Sequence, residues 1–255
     1  MATTSQVRQS RRQALEAQRL AAASKERRNR ILLVTAGVLV FALVAGLAIW
    51  GISALNQGSS TGTTMPANVN ADQNGILLAP ATPGAPVLEI FNDFNCTVCK
   101  AADLVLDSTI RQAATSGQVT VVIHTMSFEA ATSRTAAIAA ACADIQGVFP
   151  DFYHQMYLNQ DAGFDTTALN QTIPNAAGLW TDKLAAYQTC LADEATGQFV
   201  NNAAKYAAQM KVTATPTFLF TPNGGKTTDI TTQIMNTKTN AWDPDLLRAV
   251  LGISA

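Results

Sequence analysis

Two of the four cysteines lie three positions apart, in the segment Cys96-Thr97-Val98-Cys99. The pair follows a short apolar run that is typical of a strand and opens a segment that is typical of a helix. Two thiols at this spacing can close a small disulfide ring. The first thiol would lie at the helix N-terminus, where unpaired backbone N–H groups and the helix dipole favour a thiolate. Because the thiolate is the species that attacks disulfides, the segment predicts thiol–disulfide exchange.

Other uses of a C-x-x-C segment fit this chain less well. A zinc site needs four ligands, and the sequence has neither a second C-x-x-C nor a His pair. Haem attachment requires His where the chain has Lys100. We therefore predict no metal and no cofactor, and a purely structural disulfide remains as an alternative. Four cysteines allow three pairings, and the close spacing of one pair favours Cys96 with Cys99 and Cys142 with Cys190.

The N-terminal part of the chain predicts a membrane anchor. Residues 1–30 carry eight Lys or Arg against two Glu, and residues 31–55 carry no charge. A run of 25 apolar and small residues is long enough to cross a bilayer, and the basic flank places residues 1–30 in the cytoplasm. Everything after Leu55 would then lie outside the cytoplasmic membrane. A cleaved signal peptide is the alternative, although its apolar region usually spans about 7–15 residues. The basic flank is a typical topology signal, so we predict no nucleic-acid binding.

Beyond the span, residues 56–75 are polar, lack apolar periodicity and predict a flexible linker. The folded domain is then expected over residues 76–255, which is enough for one core. Its pattern predicts strand, helix, strand, then an Ala-rich helical block over about 128–210. Two strands and a last helix follow, and Asp243-Pro244 are typical of the start of that helix. This order indicates an α/β fold with an inserted helical domain.

Four segments carry a resemblance to the thioredoxin superfamily, and within it to the DsbA-like thiol–disulfide oxidoreductases. They are Asp93–Lys100, which resembles a D-F-x-C-x-x-C-K motif, Ala140–Tyr157, Cys190-Leu191, and Thr213–Phe218, which resembles the cis-proline strand. The resemblance covers roughly residues 80–255 and implies a thioredoxin-like fold.

The resemblance also implies a mechanism. Cys96 would attack or be attacked as the more exposed thiol, and Cys99 would be its buried partner. Pro216 would be cis and leave the backbone of Thr215 free to pair with a substrate peptide. The substrates implied are reduced exported proteins, and a quinone-linked membrane oxidase would reoxidise the pair. The resemblance to actinobacterial DsbA-like proteins further implies a second, structural disulfide between Cys142 and Cys190.

The chain departs from the family's pattern at two informative places. Thr97-Val98 stand where strong oxidants usually carry Pro-His, so we expect a thiol pKa that is less depressed and a pair that is less oxidising. Ile90 stands where the superfamily commonly has a buried acid that serves the buried thiol. Glu89 is one residue away, and strand alternation sends it to the other face of the sheet. Either a bulge in the strand restores Glu89 to that place or the acid is missing, and we expect it to be missing.

These observations predict a membrane-anchored enzyme that forms disulfides in exported proteins. An extracytoplasmic reductase or isomerase uses the same residues, so the direction of electron flow is a separate question. A third possibility is a thioredoxin-fold binding or assembly protein whose C-x-x-C does not turn over.

Overall fold

The computed structural model describes residues 62–253. The predicted cytoplasmic segment 1–30, the predicted transmembrane helix 31–55 and the first part of the predicted linker lie outside the described residues. Within residues 62–253, none of the helices combines the length and the apolar character that crossing a membrane requires.

A five-stranded sheet forms the centre of the domain, in the order β1-β3-β2-β4-β5. Strand β2 pairs in parallel with β3 and antiparallel with β4. Because parallel neighbours need a crossover, the chain returns from β2 to β3 through helix α1. The strands are β1 (Ile76–Leu77), β2 (Val87–Asn92), β3 (Thr120–Thr125), β4 (Thr217–Thr221) and β5 (Thr228–Asp229), and a separate short hairpin comprises β6 (Met235–Asn236) and β7 (Ala241–Trp242).

Most helices lie between β3 and β4, as the Ala-rich block predicts. They are preceded by α1 in the β2–β3 crossover and followed by α7 near the C-terminus. The helices are α1 (Thr97–Thr115), α2 (Ser133–Ile145), α3 (Phe149–Leu158), α4 (Ile173–Ala176), α5 (Thr181–Ala192), α6 (Gly197–Gln209) and α7 (Pro244–Leu251), with a 3-10 turn at Gln160–Ala162 and a π-helical turn at Ala168–Thr172. The predicted α/β fold with inserted helices is confirmed.

The central strand β2 supplies side chains to two separate cores. Leu88 and Ile90 are buried in the larger cluster, which also contains Leu106 of α1. Phe91 belongs to a smaller cluster on the other face, with Ala203 of α6. Successive side chains of a strand point to opposite faces, so this one strand positions α1 on one side of the sheet and α6 on the other.

The predicted linker over residues 56–75 is too long, because its described part packs against the helices. Thr64 N donates a hydrogen bond to Ala195 O at 2.9 Å. The backbone and side-chain nitrogens of Asn68 donate to the buried carboxylate of Asp144 at 2.7 and 2.9 Å. The segment has no apolar periodicity, so its contacts with residues far along the chain were not visible in the sequence.

At the C-terminal end of the domain, the last helix agrees with the sequence pattern, and the last strand of the sheet is shorter than the pattern predicts. Asp243 accepts hydrogen bonds from Asp245 N and Leu246 N and caps α7, as predicted. The sequence pattern predicts the last strand over about 229–233, but β5 comprises only Thr228–Asp229. Ile230 is buried and begins a turn, so the chain leaves the sheet at that point.

Candidate active site

The first cysteine caps the crossover helix. Cys96 adopts an extended backbone conformation at the N-cap of α1, with φ −78° and ψ 116°. Its sulfur accepts a hydrogen bond from Cys99 N at 3.2 Å. The helix N-terminus therefore directs an N–H group, and the positive end of its dipole, at this sulfur.

This environment makes Cys96 the acidic thiol of the pair. A hydrogen bond from the Cys99 thiol, together with backbone N–H groups of Cys99 and Val98, lowers the pKa of Cys96 to about 6, although burial opposes the shift. Burial raises the pKa of Cys99, and the neighbouring Cys96 raises it further. At neutral pH the negative charge therefore resides on Cys96, the species needed for nucleophilic attack.

Both thiols are free in this structure, and both are largely covered. Cys96 is 6% exposed and Cys99 is 2% exposed. The first thiol was expected to be the more exposed of the two, and the difference is small. The two residues between them are exposed, and Val98 has 48% of its surface in contact with solvent. The apolar Val98 therefore lies at the surface next to the reactive sulfur.

The loop before β4 brings a second functional segment to the cysteines. The peptide bond between Thr215 and Pro216 is cis. Cys96 Sγ lies 3.2 Å from Thr215 O, to which it donates when it is protonated, and Pro216 lines the same small cavity as Cys99. Pairing with β2 begins at Thr217, so Thr215 lies outside the described strand ladder. The two segments that the resemblance joins are 119 residues apart in sequence and in contact in the structure.

A buried carboxylate fixes the loop that carries the cysteines. Asp93 is fully buried and accepts four hydrogen bonds, from Asn95 N, Ser133 Oγ, Phe128 N and Glu129 N, at 2.7 to 3.1 Å. Asn95 belongs to the active-site loop itself, Phe128 and Glu129 to the loop after β3, and Ser133 to the first turn of α2. Asp93 thus holds the helical block against the active-site loop, a role that its place in the motif did not reveal.

Two further polar side chains position the active-site loops. Glu129 is exposed and accepts a hydrogen bond from Thr215 Oγ1 at 3.3 Å. Gln160 donates to Phe94 O and to Cys96 O at 2.6 and 2.9 Å. Neither residue was selected from the sequence, because each lies in a different segment and only the fold brings it to the site.

The other two cysteines form a disulfide remote in sequence from the C-x-x-C pair. Cys142 in α2 and Cys190 in α5 are joined with a Cα–Cα distance of 5.9 Å. This is the pairing that the resemblance implies. The bond links two helices of the inserted block and closes a segment of 48 residues.

The structure also shows where Glu89 points. Strand β2 pairs in continuous register with both neighbours from Val87 onward, so it has no bulge. Glu89 Oε1 accepts from Tyr206 OH at 2.8 Å and lies 3.1 Å from His124 Nε2, on the α6 side of the sheet. Ile90 instead faces Cys99 across the small cavity. Glu89 therefore does not take the place of the missing acid, as strand alternation predicts.

One group of side chains could bind a metal ion by distance alone. Asp103, Asp107 and His154 place ligand atoms within 4.8 Å of one another. Arg111 Nε, however, lies 2.8 Å from both oxygens of Asp107, and His154 Nδ1 lies 2.7 Å from Asp103 Oδ2. Since these partners already use the ligand atoms, we assign no metal to the group.

The sequence and the fold of this chain are similar to those of known proteins. A protein-family model described as thioredoxin matches residues 82–234, which include the C-x-x-C segment and the cis-proline loop. A search of curated protein sequences finds no match.

Several solved structures share the fold at low sequence identity. The MdbA protein of Actinomyces oris, a thiol–disulfide oxidoreductase, aligns with a TM-score of 0.58 at 16% identity, over 76% of this chain and 97% of its own. BdbD from Bacillus subtilis aligns with a TM-score of 0.55 at 18% identity, over 75% and 96%. The MdbA protein of Corynebacterium diphtheriae aligns with a TM-score of 0.53 at 15% identity, over 68% and 92%. At these identities the likeness establishes the fold.

Proposed function

Because the chain belongs to the thioredoxin family, we propose that it is a DsbA-like protein thiol–disulfide oxidoreductase with Cys96 and Cys99 as its redox pair. One observation carries this proposal. An acidic thiol at a helix N-terminus lies 3.2 Å from the backbone of Thr215, directly before a cis proline. That arrangement combines a nucleophile with a backbone segment that can pair with a peptide.

The reaction that fits this geometry is disulfide transfer to a reduced protein. A substrate thiolate attacks Cys96 of the Cys96–Cys99 disulfide. The electron pair of the broken S–S bond passes to Cys99, which becomes a thiolate. The mixed disulfide between substrate and Cys96 is then attacked by a second substrate thiolate. The substrate leaves with a disulfide, and Cys96 leaves as a thiolate that the N-terminus of α1 stabilises.

The environment of Cys96 supports the oxidising direction. Stabilising the Cys96 thiolate stabilises the reduced pair, which makes the disulfide form a stronger oxidant. The two residues between the cysteines are Thr97 and Val98, so no imidazole adds to that stabilisation. We therefore propose a moderate oxidant of exported proteins rather than a powerful one.

The reduction potential of the pair tests the direction of electron flow. Equilibration of the full-length protein with glutathione buffers, read by thiol alkylation and mass spectrometry, should give a value between about −120 and −230 mV. The lowered pKa of Cys96 argues against a very reducing pair, and the missing imidazole argues against the most oxidising values. A value near about −270 mV, the range of thioredoxin, would contradict an oxidase and favour a reductase. The Cys142–Cys190 bond serves as an internal control, because it should remain oxidised over this range.

We also propose that residues 31–55 anchor the enzyme in the cytoplasmic membrane with the catalytic domain outside. The support is the uncharged run and the basic flank before it. A quinone-linked oxidase in the same membrane is the proposed partner for reoxidation, and a shared membrane would raise the effective concentration of the two. A protease added to intact protoplasts should remove an epitope tag fused after Ala255 and leave a tag at the N-terminus intact. Protection of the C-terminal tag from the protease would contradict the proposed orientation.

A further inference from the structure

A small cavity lies next to the buried thiol of the redox pair. It measures about 20 Å³ and lies between β2, α1 and α3. Its polar lining comes from Cys99, Asp103 and Asp107 of α1, Asn92 of β2 and Tyr153 of α3. Asp103 follows Cys99 by four positions, which places both side chains on one face of the helix.

The cavity has the size and the lining that one water molecule requires. A space of more than about 10–15 Å³ with two to four polar partners can hold a water. Asn92 is 1% exposed, and its Oδ1 atom has no hydrogen-bond partner among the described residues. A buried acceptor without a partner is costly, so Asn92 Oδ1 provides a site for a water proton. The same water would be within the reach of Cys99 and Asp103.

The acid in this cavity is connected to the surface by a histidine. Asp103 is 6% exposed, and its Oδ2 lies 2.7 Å from His154 Nδ1 on helix α3. The side chain of His154 is 30% exposed. Protons can therefore pass between the cavity and solvent through two hydrogen-bonded groups, a carboxyl and an imidazole.

We infer that Asp103 exchanges the proton of Cys99 through a water in this cavity, and that His154 connects Asp103 to solvent. This inference rests on the proposed function, in which Cys99 must lose a proton on oxidation and gain one on reduction. It assigns to Asp103 the work of the acid that is missing at Ile90, from a different element of the fold. Asp103 acts through the water and does not touch the reacting sulfur atoms.

The oxidation of the reduced pair by a small disulfide shows the balance of the steps. The Cys96 thiolate attacks one sulfur of the oxidant, which forms a mixed disulfide and releases one thiolate. The proton of Cys99 passes to the Asp103 carboxylate, and the Cys99 thiolate attacks the Cys96 sulfur. The second thiolate of the oxidant leaves, so the pair loses two electrons and the oxidant gains them. The proton leaves Asp103 for solvent through His154.

Electrostatics favours proton transfer at the mixed-disulfide stage. The charge of Cys96 contributes to the raised pKa of Cys99, and that charge disappears once Cys96 is bonded to the oxidant. Burial and the neighbouring Asp107 carboxylate raise the pKa of the Asp103 carboxyl to about 7, although the charge and hydrogen bond of His154 and the charge of Arg111 oppose the shift. Asp103 is therefore a carboxylate above about pH 7, where it can accept a proton, and a carboxylic acid below it.

The ionisable groups around Asp103 come from two helices. Cys99, Asp107 and Arg111 lie on its own helix, and His154, Tyr153 and Tyr157 lie on α3. The sheet and the cis-proline loop contribute only groups that do not ionise: Leu78, Ile90, Asn92, Ile123, Pro216 and Phe218. Among the described residues, α7 and β7 bring no side chain to the cavity.

The test follows the second step of oxidation by itself. Reduced full-length protein is mixed with glutathione disulfide in a rapid-quench instrument, and acid-trapped samples are analysed by mass spectrometry. In the wild type, the rate at which the mixed disulfide resolves should rise with pH through an inflection near 7. Asp103→Asn should slow resolution of the mixed disulfide by about 10- to 100-fold at pH 7.5. This effect lies at the lower end of what general base catalysis usually contributes, or below it. The variant should also lose the inflection in the pH profile. Formation of the mixed disulfide at Cys96 should remain within about twofold of the wild type.

Two further variants distinguish proton transfer from a structural role. His154→Gln should move the inflection to higher pH, because His154 lowers the pKa of Asp103, and Asp107→Asn should move it to lower pH. Asp182→Asn removes an exposed acid outside the cavity and should change neither rate. If Asp103→Asn does not fold, the opposite shifts of the inflection in His154→Gln and Asp107→Asn still test the inference.

The possible outcomes separate this inference from the proposed function. Resolution of the mixed disulfide in Asp103→Asn at the wild-type rate and with the wild-type pH profile would overturn the inference, as would unshifted inflections in the other two variants. Failure of the wild type to form a mixed disulfide at Cys96 would instead contradict the proposed function.

Discussion

Replacing Cys96 with serine should reduce disulfide formation in a reduced protein to the background rate of glutathione alone. A hydroxyl cannot form the mixed disulfide, so the transfer described above has no first step. The measurement is the regain of activity of reduced, unfolded ribonuclease A in a glutathione disulfide buffer, with the full-length protein added in catalytic amount. The Cys99→Ser variant should also lose turnover, but for another reason. It cannot form the Cys96–Cys99 disulfide that is transferred to the substrate. A mixed disulfide between Cys96 and a substrate should also last longer, because Cys99 is not there to displace the substrate.

The two variants therefore have different signatures. Cys99→Ser should accumulate a covalent complex with ribonuclease A that a reducing agent dissolves, and Cys96→Ser should not. The control is Cys142→Ala/Cys190→Ala, which removes the other two cysteines and should retain turnover at a temperature where it is folded. Equal activity of wild type and Cys96→Ser would favour a binding protein whose C-x-x-C does not turn over. Loss of turnover in the control would indicate that the second disulfide takes part in electron transfer.

The second large effect concerns the disulfide between α2 and α5. Removing it with Cys142→Ala/Cys190→Ala should lower the free energy of unfolding by about 4 kcal/mol, the value of the chain-entropy model for a loop of 48 residues. Alanine is the appropriate replacement, because Cys142 is fully buried and serine would bury an additional hydroxyl. For a domain of this size, the loss corresponds to a decrease in Tm of about 8–16 °C.

Thermal unfolding monitored by circular dichroism measures this effect. A strong reducing agent added to the wild type should give nearly the same Tm as the double variant, because both remove the same cross-link from the unfolded chain. In the variant, the reducing agent can break only a Cys96–Cys99 disulfide, so any change in its Tm should come from that bond alone. A loss of less than about 1 kcal/mol would show that packing between α2 and α5 holds the helical block without the bond.

The reactive pair and its acidity follow largely from local sequence. Cys96 precedes a helix whose start is set by the strand-to-helix junction, so the N–H groups that stabilise its thiolate lie within three residues of it. The same holds for Asp243 at the start of α7. Strand alternation likewise predicted that Glu89 and Ile90 face opposite sides of the sheet. Short-range geometry of this kind depends on backbone periodicity and little else.

The surroundings of the buried thiol depend on packing between distant elements. The spacing of Cys99 and Asp103 places them on one helix face, and the sequence contains that signal. The partner His154 is 51 residues beyond Asp103 and reaches it only because α3 packs against α1. From the sequence alone, His154 is best interpreted as a structural residue and the acid as missing.

Sequence by itself determined the spacing of the candidate redox pair and the order of strands and helices, because both follow from residue type and local periodicity. The resemblance to the thioredoxin superfamily implied that Ile90 stands in the place of a buried acid. The tertiary structure decided which residues complete the site. It brought Thr215 to Cys96 across 119 positions, placed Glu129 on Thr215, and closed a cavity around Cys99 and Asp103. Such contacts arise from how helices and loops pack onto the sheet. No periodicity encodes that packing, because the contacting residues are separated by whole elements.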